Sequence, residues 1–414
     1  MIGEGEYEKR LEELFLKFPS VQTQGFTGKA YKPGLAGMLR FDRALGSPWK
    51  SYPCIHVAGT NGKGSVSSMI AASLASEGLK IGLFTSPHLT DFRERIKVVT
   101  RDGAQLIPKE EVLNFLKLSD PHAEGLSFFE ITTGMALWWF ARSGVDFAVI
   151  EVGLGGLLDS TNVITPVVSV ITSIGLDHCA LLGGSRSEIA AQKAGIFKRN
   201  VPALVGFTDD ETEPVFRAGA AELGCPLTML PTVDIAPGET FQKMNRATAA
   251  AALEIIGHRP DSDAMERMEV ITGLHGRWER LSSDPELIAD IGHNPQALAL
   301  NFARLGNTGR PLLIVYGIMA DKDLEAISAF MPPSAKYFLC APATPRALPA
   351  DRLSERLKAA RPELDTTVCA SVASAVETAL SCAEKYDNPI VYVGGSNFVV
   401  GELFSMPSFK YSEK

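Results

Sequence analysis

The sequence reads as an α/β protein with two units, a larger N-terminal one and a smaller C-terminal one, each built on a mostly parallel sheet. Two features point there. Short β-branched runs recur, each followed by a Gly or polar break and then a segment of helical periodicity, and this pattern restarts after the polar, Pro-containing stretch RLSSDPE. The runs are continuously apolar, as strands covered on both faces must be. A length of 414 residues agrees with two or three domains at roughly 150 residues each.

In the first half, strands are expected at YPCIHVAG, KIGLFTS, DFAVIEVG and VVSVITSIG, with another near PALVGF. Between the first two, the segment from Gly62 to Glu77 puts Val66, Met69, Ile70 and Leu74 on one helical stripe and stops at Gly78, suited to the left-handed position that closes a helix. After Arg277, strands are expected at LIADIG, PLLIVYGIM, AKYFLCA and PIVYVGG, alternating with helices at NPQALALNFARL, DLEAISAFM, PADRLSERLKAA and SVASAVETALSCAE. The expected division is a first domain over 1–280, a linker at about 280–286 and a smaller Rossmann-like α/β domain over 286–414. No repeat of solenoid period is visible.

Hydrophobic residues make up 45% of the chain and charged residues 21%, enough apolar mass for a core and too little charge imbalance for disorder. The net charge of −8 comes from 40 basic and 48 acidic residues with no basic block to track a phosphodiester backbone, so no nucleic-acid partner is expected. The acidic start MIGEGEYEKRLEELFLKF lacks the basic head and apolar core of a secretory signal. The longest apolar stretches, such as MALWWFA, fall short of the ~20 residues that span a bilayer. A cytoplasmic protein without membrane association is expected. Six cysteines, Cys54, Cys179, Cys225, Cys340, Cys369 and Cys382, are scattered without a C-x-x-C pair and read as buried reduced thiols.

The stretch HVAGTNGKGSV, His56 to Val66, carries the chemistry. The usual phosphate loop, G-x-x-x-x-G-K-[ST], would place Gly at Val57 and Ser or Thr at Gly64, and neither is present. The physical requirements are nevertheless met: a strand ending in a Gly-rich turn, amides turned inward, and a helix that begins where the phosphate lies. Gly59, Gly62 and Gly64 permit close backbone approach, Lys63 brings a point charge for the β and γ phosphates, and Ser65 offers a hydroxyl to a metal. The alternative is a Gly-rich turn that only packs, and strand, three glycines, Lys and Ser in this order weigh against it. The first unit is therefore expected to be a P-loop mononucleotide-binding domain.

A magnesium nucleotide also needs a few oxygen or nitrogen ligands at the same rim. Glu151 closes DFAVIEV, His178 follows VVSVITSIGLD and Ser86 ends KIGLFTS, all at the sheet edge where ligands gather in open α/β folds. Taken singly, Glu151 could be a solvated strand cap, His178 a hydrogen-bonded loop histidine and Ser86 a helix cap.

The motifs GTNGKGS (59–65), TSPHL (85–89), SFFE (127–130), EVGLGG (151–156), LDH (176–178), EIAAQKAGIFK (188–198) and HNP (293–295) together resemble folylpolyglutamate synthase and dihydrofolate synthase, of the Mur ligase superfamily. Order and spacing agree from about Gly34 to GGSNFVVGE. Enzymes of this family phosphorylate a carboxylate with ATP and let the amine of an amino acid attack the acyl phosphate, so positioning and charge neutralisation supply most of the rate. The resemblance implies ATP, two Mg²⁺ ions, and addition of L-glutamate to dihydropteroate, to folates such as tetrahydrofolate, or to both. A bifunctional enzyme, acting as a monomer, is expected.

Residue by residue, the resemblance gives the ATP phosphates to Lys63 and the backbone around it, Gly59, Thr60, Asn61, Gly62, Gly64 and Ser65. It gives the first Mg²⁺ to Ser86 and Glu151, and the second to His178 with Lys193, a lysine commonly carbamylated in this family; a plain helix-surface lysine is the alternative. Asn245, Arg277, Asp290, His293 and Asn294 match nucleotide contacts made by the family's second domain, Arg277 steadying phosphoryl charge or gripping ATP, with an interdomain salt bridge as the alternative. Lys63, His178, Lys193 and Arg277 are thus the expected catalytic group, and domain closure is expected to expel water. The pterin falls to Pro87, His88, Phe129, Glu130, Leu158 and Asp159; an aromatic ring suits a flat heterocycle, although Phe128 and Phe129 could be core residues.

Three positions depart from the family's pattern: Leu157 where many relatives carry Arg, Gln192 where Glu is usual, and Gly292 where Ala is usual. A murein ligase is the rival within the superfamily, but such enzymes usually carry a UDP-binding domain ahead of the loop, and 58 residues precede Gly59 here. A nucleotide-binding regulator without catalysis is the rival from another class, against which stand Lys63, Glu151 and His178.

Overall fold

The structure is a computed structural model that describes residues 4–18, 20–25, 32, 34–231 and 241–409. The first three residues of the acidic start lie outside that range. The chain divides into two units: one of Met1–His88, Phe92–Val233 and Phe241–Leu274, the other of Leu89–Asp91, Asp234–Thr240 and His275–Lys414.

The first unit holds eight strands: β1 (Cys54–Ala58), β2 (Ile81–Phe84), β3 (Ile96–Thr100), β4 (Gly103–Leu106), β5 (Phe147–Glu151), β6 (Val168–Ile171), β7 (Ala203–Val205) and β8 (Leu227–Met229). Their order is β4-β3-β2-β5-β1-β6-β7-β8. From β2 to β8 the neighbours are parallel, while β3 and β4 add an antiparallel edge. The five strands expected from the sequence are β2, β5, β1, β6 and β7. The antiparallel edge and β8 escaped that reading: Lys97 interrupts the run of β3, and β4 and β8 are only partly buried and carry no continuous apolar run. Val57 pairs with Glu151 on β5 and Val170 on β6, which brings three strand ends level with the turn at Gly59.

The helix Lys63–Ser76 begins after Gly62, whose φ of 86° is left-handed, and Gly78 follows its end at φ 91°, as expected. The amphipathic stripe expected for it is not what folds. Every residue from Gly64 to Ala75 is buried, because helices Phe241–Ile255, Ser262–Glu266 and Met268–Thr272 pack on the helix as well as the sheet does. Small residues, Ser67, Ser68, Ala71, Ala72, Ser73 and Ala75, let those neighbours approach on all sides. The opposite face of the sheet is covered by the aromatic-rich helix Phe128–Ser143, with Phe41, Phe84, Phe115 and Phe140 in its core.

The second unit holds β9 (Glu279–Ser283), β10 (Glu286–Asp290), β11 (Leu312–Tyr316), β12 (Lys336–Leu339), β13 (Asp365–Val368) and β14 (Ile390–Gly394), ordered β13-β12-β11-β14-β10-β9. All neighbours are parallel except β9 with β10. Two apolar clusters, one on each face, complete a Rossmann-like layer arrangement. The stretch 280–286, read as a linker, is the turn and flanks of the β9–β10 hairpin, and the long segment of the second unit begins at His275. Polar Ser282, Ser283 and Asp284 suited a linker, yet the two serines end an edge strand that solvent reaches and Asp284 opens its turn.

Burial of the cysteines holds for Cys54, Cys340 and Cys369, whereas Cys179 is exposed and Cys225 and Cys382 are half-buried. Among the described residues no helix is long and apolar enough to cross a membrane.

Candidate active site

The glycine turn that follows β1 is strapped to the segment after β6. Thr60 donates its N–H to the Ser173 carbonyl (2.8 Å), and its hydroxyl exchanges hydrogen bonds with Gly175. The Asn61 carbonyl accepts from the hydroxyls of Thr172 (2.6 Å) and Ser173 (3.1 Å). At both glycines a side chain is excluded: a Cβ on Gly59 would lie 1.8 Å from Thr172 Oγ1, and one on Gly62 would lie 2.2 Å from Asn245 Oδ1. Thr172, Ser173 and Gly175 were missed in the sequence, where TSIG read only as the end of a strand; two hydroxyl residues at the edge of an otherwise apolar run were the available signal.

Two lysines converge on this turn. Lys63 donates to the Gly59 carbonyl at 3.0 Å and to the Thr60 carbonyl at 3.3 Å, and Lys193 donates to the same Gly59 carbonyl at 2.9 Å. Lys193 sits on helix Arg186–Ala194, which opens with a capping box between Ser185 and Glu188, and it is buried. Burial, together with the neighbouring Lys63 charge, lowers its pKa to about 7, against the pull of Asp177 and Asp159. The plain surface lysine is thus excluded.

Glu151, at the end of β5, is buried, and its Oε2 accepts the Ser86 N–H at 3.0 Å, which ties the ends of β5 and β2 together. Gly64 and Ser65 lie buried in the first turn of helix Lys63–Ser76. His178 takes a left-handed conformation (φ 53°) ahead of the short helix Cys179–Leu182, held by its N–H to Asp177 Oδ1 (2.9 Å). Asn245 lies on helix Phe241–Ile255 in the first unit, not in the second domain as the family match implied, and covers Gly62 from that side.

The two adjacent phenylalanines separate cleanly. Phe128 is core, stacked on Phe15, while half-buried Phe129 lies on the backbone of Gly153, where a Cβ would come within 2.4 Å of its ring. Glu130 spends its Oε2 on the N–H (2.7 Å) and hydroxyl (2.9 Å) of Ser127, closing a capping box at the helix start. His88 accepts at Nδ1 from Arg95 Nε (2.8 Å), whose Nη2 reaches Gln22 (2.7 Å). Burial lowers the Arg95 pKa to about 10. Neither Arg95 nor Gln22 was named from the sequence, because burial of the Arg95 guanidinium leaves no local sign in the residues around it. Pro87 is exposed beside them.

The GLGGLLD turn rests on the helix that carries Lys193. Leu157 donates its N–H to the Gln192 carbonyl (2.8 Å), and a Cβ on Gly156 would meet the carbonyls of Gln192 and Lys193 within 3 Å. Leu157 and Leu158 are exposed. Asp159 is buried; its Oδ2 accepts from Leu154 N–H (2.8 Å) and its Oδ1 from the N–H (3.0 Å) and hydroxyl (2.5 Å) of Thr161. Burial raises its pKa and these bonds oppose the rise. Asp159 and Glu130 therefore serve the chain's own backbone and act as braces of the surfaces they stand in.

In the second unit, Asp290 ends β10 and accepts from Gly292 N–H (2.7 Å), Asn301 Nδ2 (2.7 Å) and Trp278 N–H (2.8 Å). Burial pushes its pKa up, while the Gly292 amide and the Arg277 charge pull it down. Asp290 thus fixes the backbone beside Arg277. His293 Nδ1 lies 3.0 Å from the Ile291 carbonyl, and Asn294 caps helix Pro295–Gly306 through Ala297 N–H. At Gly292 a Cβ would approach Asp290 Oδ1 to 2.8 Å, so the absent methyl leaves room for that carboxylate.

Residues 57–234 match the Mur ligase middle domain, and residues 276–397 match the Mur ligase, glutamate ligase domain. The dihydrofolate synthase/folylpolyglutamate synthase of Escherichia coli (strain K12) is 33% identical over 359 residues, covering 81% of this chain and 82% of the relative. A Haloferax volcanii relative, the "Probable bifunctional folylpolyglutamate synthase/dihydropteroate synthase", is 33% identical over 413 residues, and this chain spans about half of its length, 48%. Among solved structures, Mycobacterium tuberculosis folylpolyglutamate synthase complexed with ADP superposes with a TM-score of 0.84 at 26% identity over 99% of both chains. Escherichia coli FolC in complex with DHPP and ADP superposes at 0.80 and 28%, over 96% of this chain and 97% of that one. Both Mur ligase domains occur here in sequence order, and the likeness to the Escherichia coli enzyme runs through most of each chain: the protein belongs to the folylpolyglutamate synthase/dihydrofolate synthase family.

Proposed function

We propose that the protein is an ATP-dependent ligase that adds L-glutamate to dihydropteroate and to the γ-carboxylate of folates. The observation that carries this reading is the convergence of Lys63 and buried Lys193 on the carbonyl of Gly59, at a glycine turn one strand away from the buried carboxylate of Glu151. Fixed cations around a backbone turn suit a phosphoryl group that passes between oxygens, because their orientation is set before the charge develops. The Escherichia coli relative solved with DHPP and ADP supports the same substrate classes.

In the proposed reaction the γ-phosphoryl of ATP passes to an oxygen of the acceptor carboxylate and ADP leaves. The amine of glutamate then attacks the carbonyl carbon, the C–O bond to phosphate breaks, and a proton is lost from the new amide. Lys63 and the backbone of Gly59, Thr60, Asn61, Gly62, Gly64 and Ser65 hold the phosphates. The hydroxyls of Ser65 and Ser86, the Glu151 carboxylate and the His178 imidazole are hard oxygen and nitrogen donors that fit Mg²⁺. Among the described residues no three His, Cys, Asp or Glu side chains gather at one point, so such an ion would take its remaining ligands from phosphate and water. Bound there, Mg²⁺ would neutralise phosphate charge.

For the second ion we propose His178 with a carbamylated Lys193. Carbamate formation needs a neutral amine, Lys–NH₂ + CO₂ → Lys–NHCOO⁻ + H⁺, and a pKa lowered to about 7 supplies one near neutral pH. Phe129, His88, Pro87 and Leu158 line the proposed acceptor site, with Glu130 and Asp159 bracing it. The unit from His275 onward is proposed to bring Arg277, Asp290, His293 and Asn294 to the nucleotide.

The test is phosphate release by the purified protein with ATP and Mg²⁺, with dihydropteroate or tetrahydrofolate as acceptor and with or without L-glutamate. Sustained release only when acceptor and glutamate are both present is expected, and comparison of the two acceptors measures bifunctionality. Equal release without either one would reduce the protein to a general nucleotide hydrolase.

A further inference from the structure

His56 lies in the middle of β1, fully buried, and its Nε2 is 2.8 Å from Thr161 Oγ1, whereas Nδ1 has no hydrogen-bond partner among the described residues. Thr161 Oγ1 is in turn 2.5 Å from Asp159 Oδ1. A hydroxyl has one proton to give. Asp159 already receives the N–H groups of Leu154 and Thr161, so it stands as an acceptor and takes the Thr161 proton. The lone pairs of Thr161 then need a donor, and the group facing them is Nε2. This fixes His56 as the imidazole protonated at Nε2. A proton on Nδ1 instead would leave one buried N–H unsatisfied and Thr161 with two acceptors for one proton.

The chain His56–Thr161–Asp159 ends on the turn from Gly153 to Asp159. That turn carries Gly153, on which Phe129 lies, and exposed Leu158. We propose that His56 is a positioning residue for acceptor binding: through Thr161 it fixes Asp159, and through Asp159 the shape of the turn that receives the pterin-bearing acid. The inference rests on the assignment of that turn to the acceptor made above. His56 touches neither substrate nor phosphate; its part is to remove a second arrangement of the Thr161 hydroxyl that would release one of the bonds on Asp159.

The experiment uses the full-length protein and four variants: His56→Leu, His56→Gln, Thr161→Val and the double variant His56→Leu/Thr161→Val. His56→Leu removes the donor with an apolar side chain, and the amide nitrogen of His56→Gln can still reach Thr161. Loss of one buried hydrogen bond should raise KM for dihydropteroate about tenfold in His56→Leu, with KM for ATP and kcat within about twofold of wild type. His56→Gln should recover most of that loss. Thr161→Val should match His56→Leu, and the double variant should be no worse than either, as expected for residues in one chain. Amide hydrogen exchange at Leu154 and Thr161 should quicken in His56→Leu and return to wild-type protection in His56→Gln, a reading that needs no turnover. Unchanged acceptor KM with unchanged exchange, an equal rise of both KM values, or additive effects in the double variant would each overturn the proposal. If the wild-type protein accepts no pterin substrate, the assignment of function fails, and the exchange data still decide the hydrogen-bond chain.

Discussion

Lys193 lies in a helix with its amine on the Gly59 carbonyl and a second lysine on the same oxygen, and its pKa is lowered to about 7 by burial and then by that neighbour. Lys193→Ala should lose turnover and regain part of it with added small carboxylates such as formate or acetate, measured as phosphate release; absence of rescue would remove the carbamate role and leave the fold intact. Lys63→Ala should also abolish turnover, by removing the charge at the start of helix Lys63–Ser76, where the proposed phosphate site lies. His56 gives a prediction in pH. Burial lowers its pKa from 6.5 to about 3. Between those values the unfolded chain binds a proton that the folded chain refuses, so stability falls as pH drops through the window, by on the order of 1 kcal/mol per pH unit. His56→Leu should therefore lose less stability than wild type between pH 6.5 and 4 in urea denaturation. Parallel losses would mean that His56 is not held neutral. The sequence showed the identity of these side chains and the chemistry they offer, but burial belongs to the packed state, and nothing local distinguishes Lys193 from a lysine on a solvated helix face.

The helix Phe128–Ser143 shows which local signals survive folding and which do not. Ser127-Phe-Phe-Glu130 is a capping-box sequence, and the structure forms it, with Ser127 receiving Glu130 N–H and Glu130 receiving Ser127 N–H. Which phenylalanine faces the core was not legible, because that depends on the helix's rotation against the sheet, set by Phe41, Phe84, Phe115 and Phe140. Ser127→Ala should destabilise the first unit by about 1 kcal/mol, more if the buried Glu130 carboxylate finds no other donor, read as a lower thermal midpoint. Gly153→Ala acts on the partner surface. Its methyl would come within 2.4 Å of the Phe129 ring, so the ring must turn away, and KM for the acceptor should rise with KM for ATP unchanged. A variant with normal acceptor KM would take Phe129 out of the site. The β3–β4 edge and β9 were illegible for a different reason, whereas β10 was read from LIADIG: Lys97 interrupts the run of β3, and β4 and β9 hold too few apolar residues to make one.

The molecule as a whole divides as its apolar residues do. Clusters on both faces of the eight-stranded sheet belong to the first unit, and two clusters built around β10, β11, β12 and β14 belong to the second, joined by partly buried Leu89. The two-unit plan was legible because continuous apolar strands and the glycine turn are set by neighbours in sequence. The boundary was not, because the polarity of Ser282–Asp284 reports exposure, and an exposed edge strand is as polar as a linker. A unit with its own core should unfold cooperatively by itself. A fragment of residues 275–414 should thus show one thermal transition, below that of the same unit in the intact chain because Leu89 is missing. Lys63, Ser65, Ser86, Glu151, His178 and Lys193 all lie in the first unit. ADP with Mg²⁺ should consequently raise the first unit's transition in calorimetry of the intact protein, by about 2.7 kcal/mol at a hundredfold excess over Kd, and leave the fragment's transition where it was. A fragment without a cooperative transition would show that the second sheet depends on the rest of the chain. A fragment shifted by ADP would move the principal nucleotide contacts away from the glycine turn, because the isolated second unit contains no part of it.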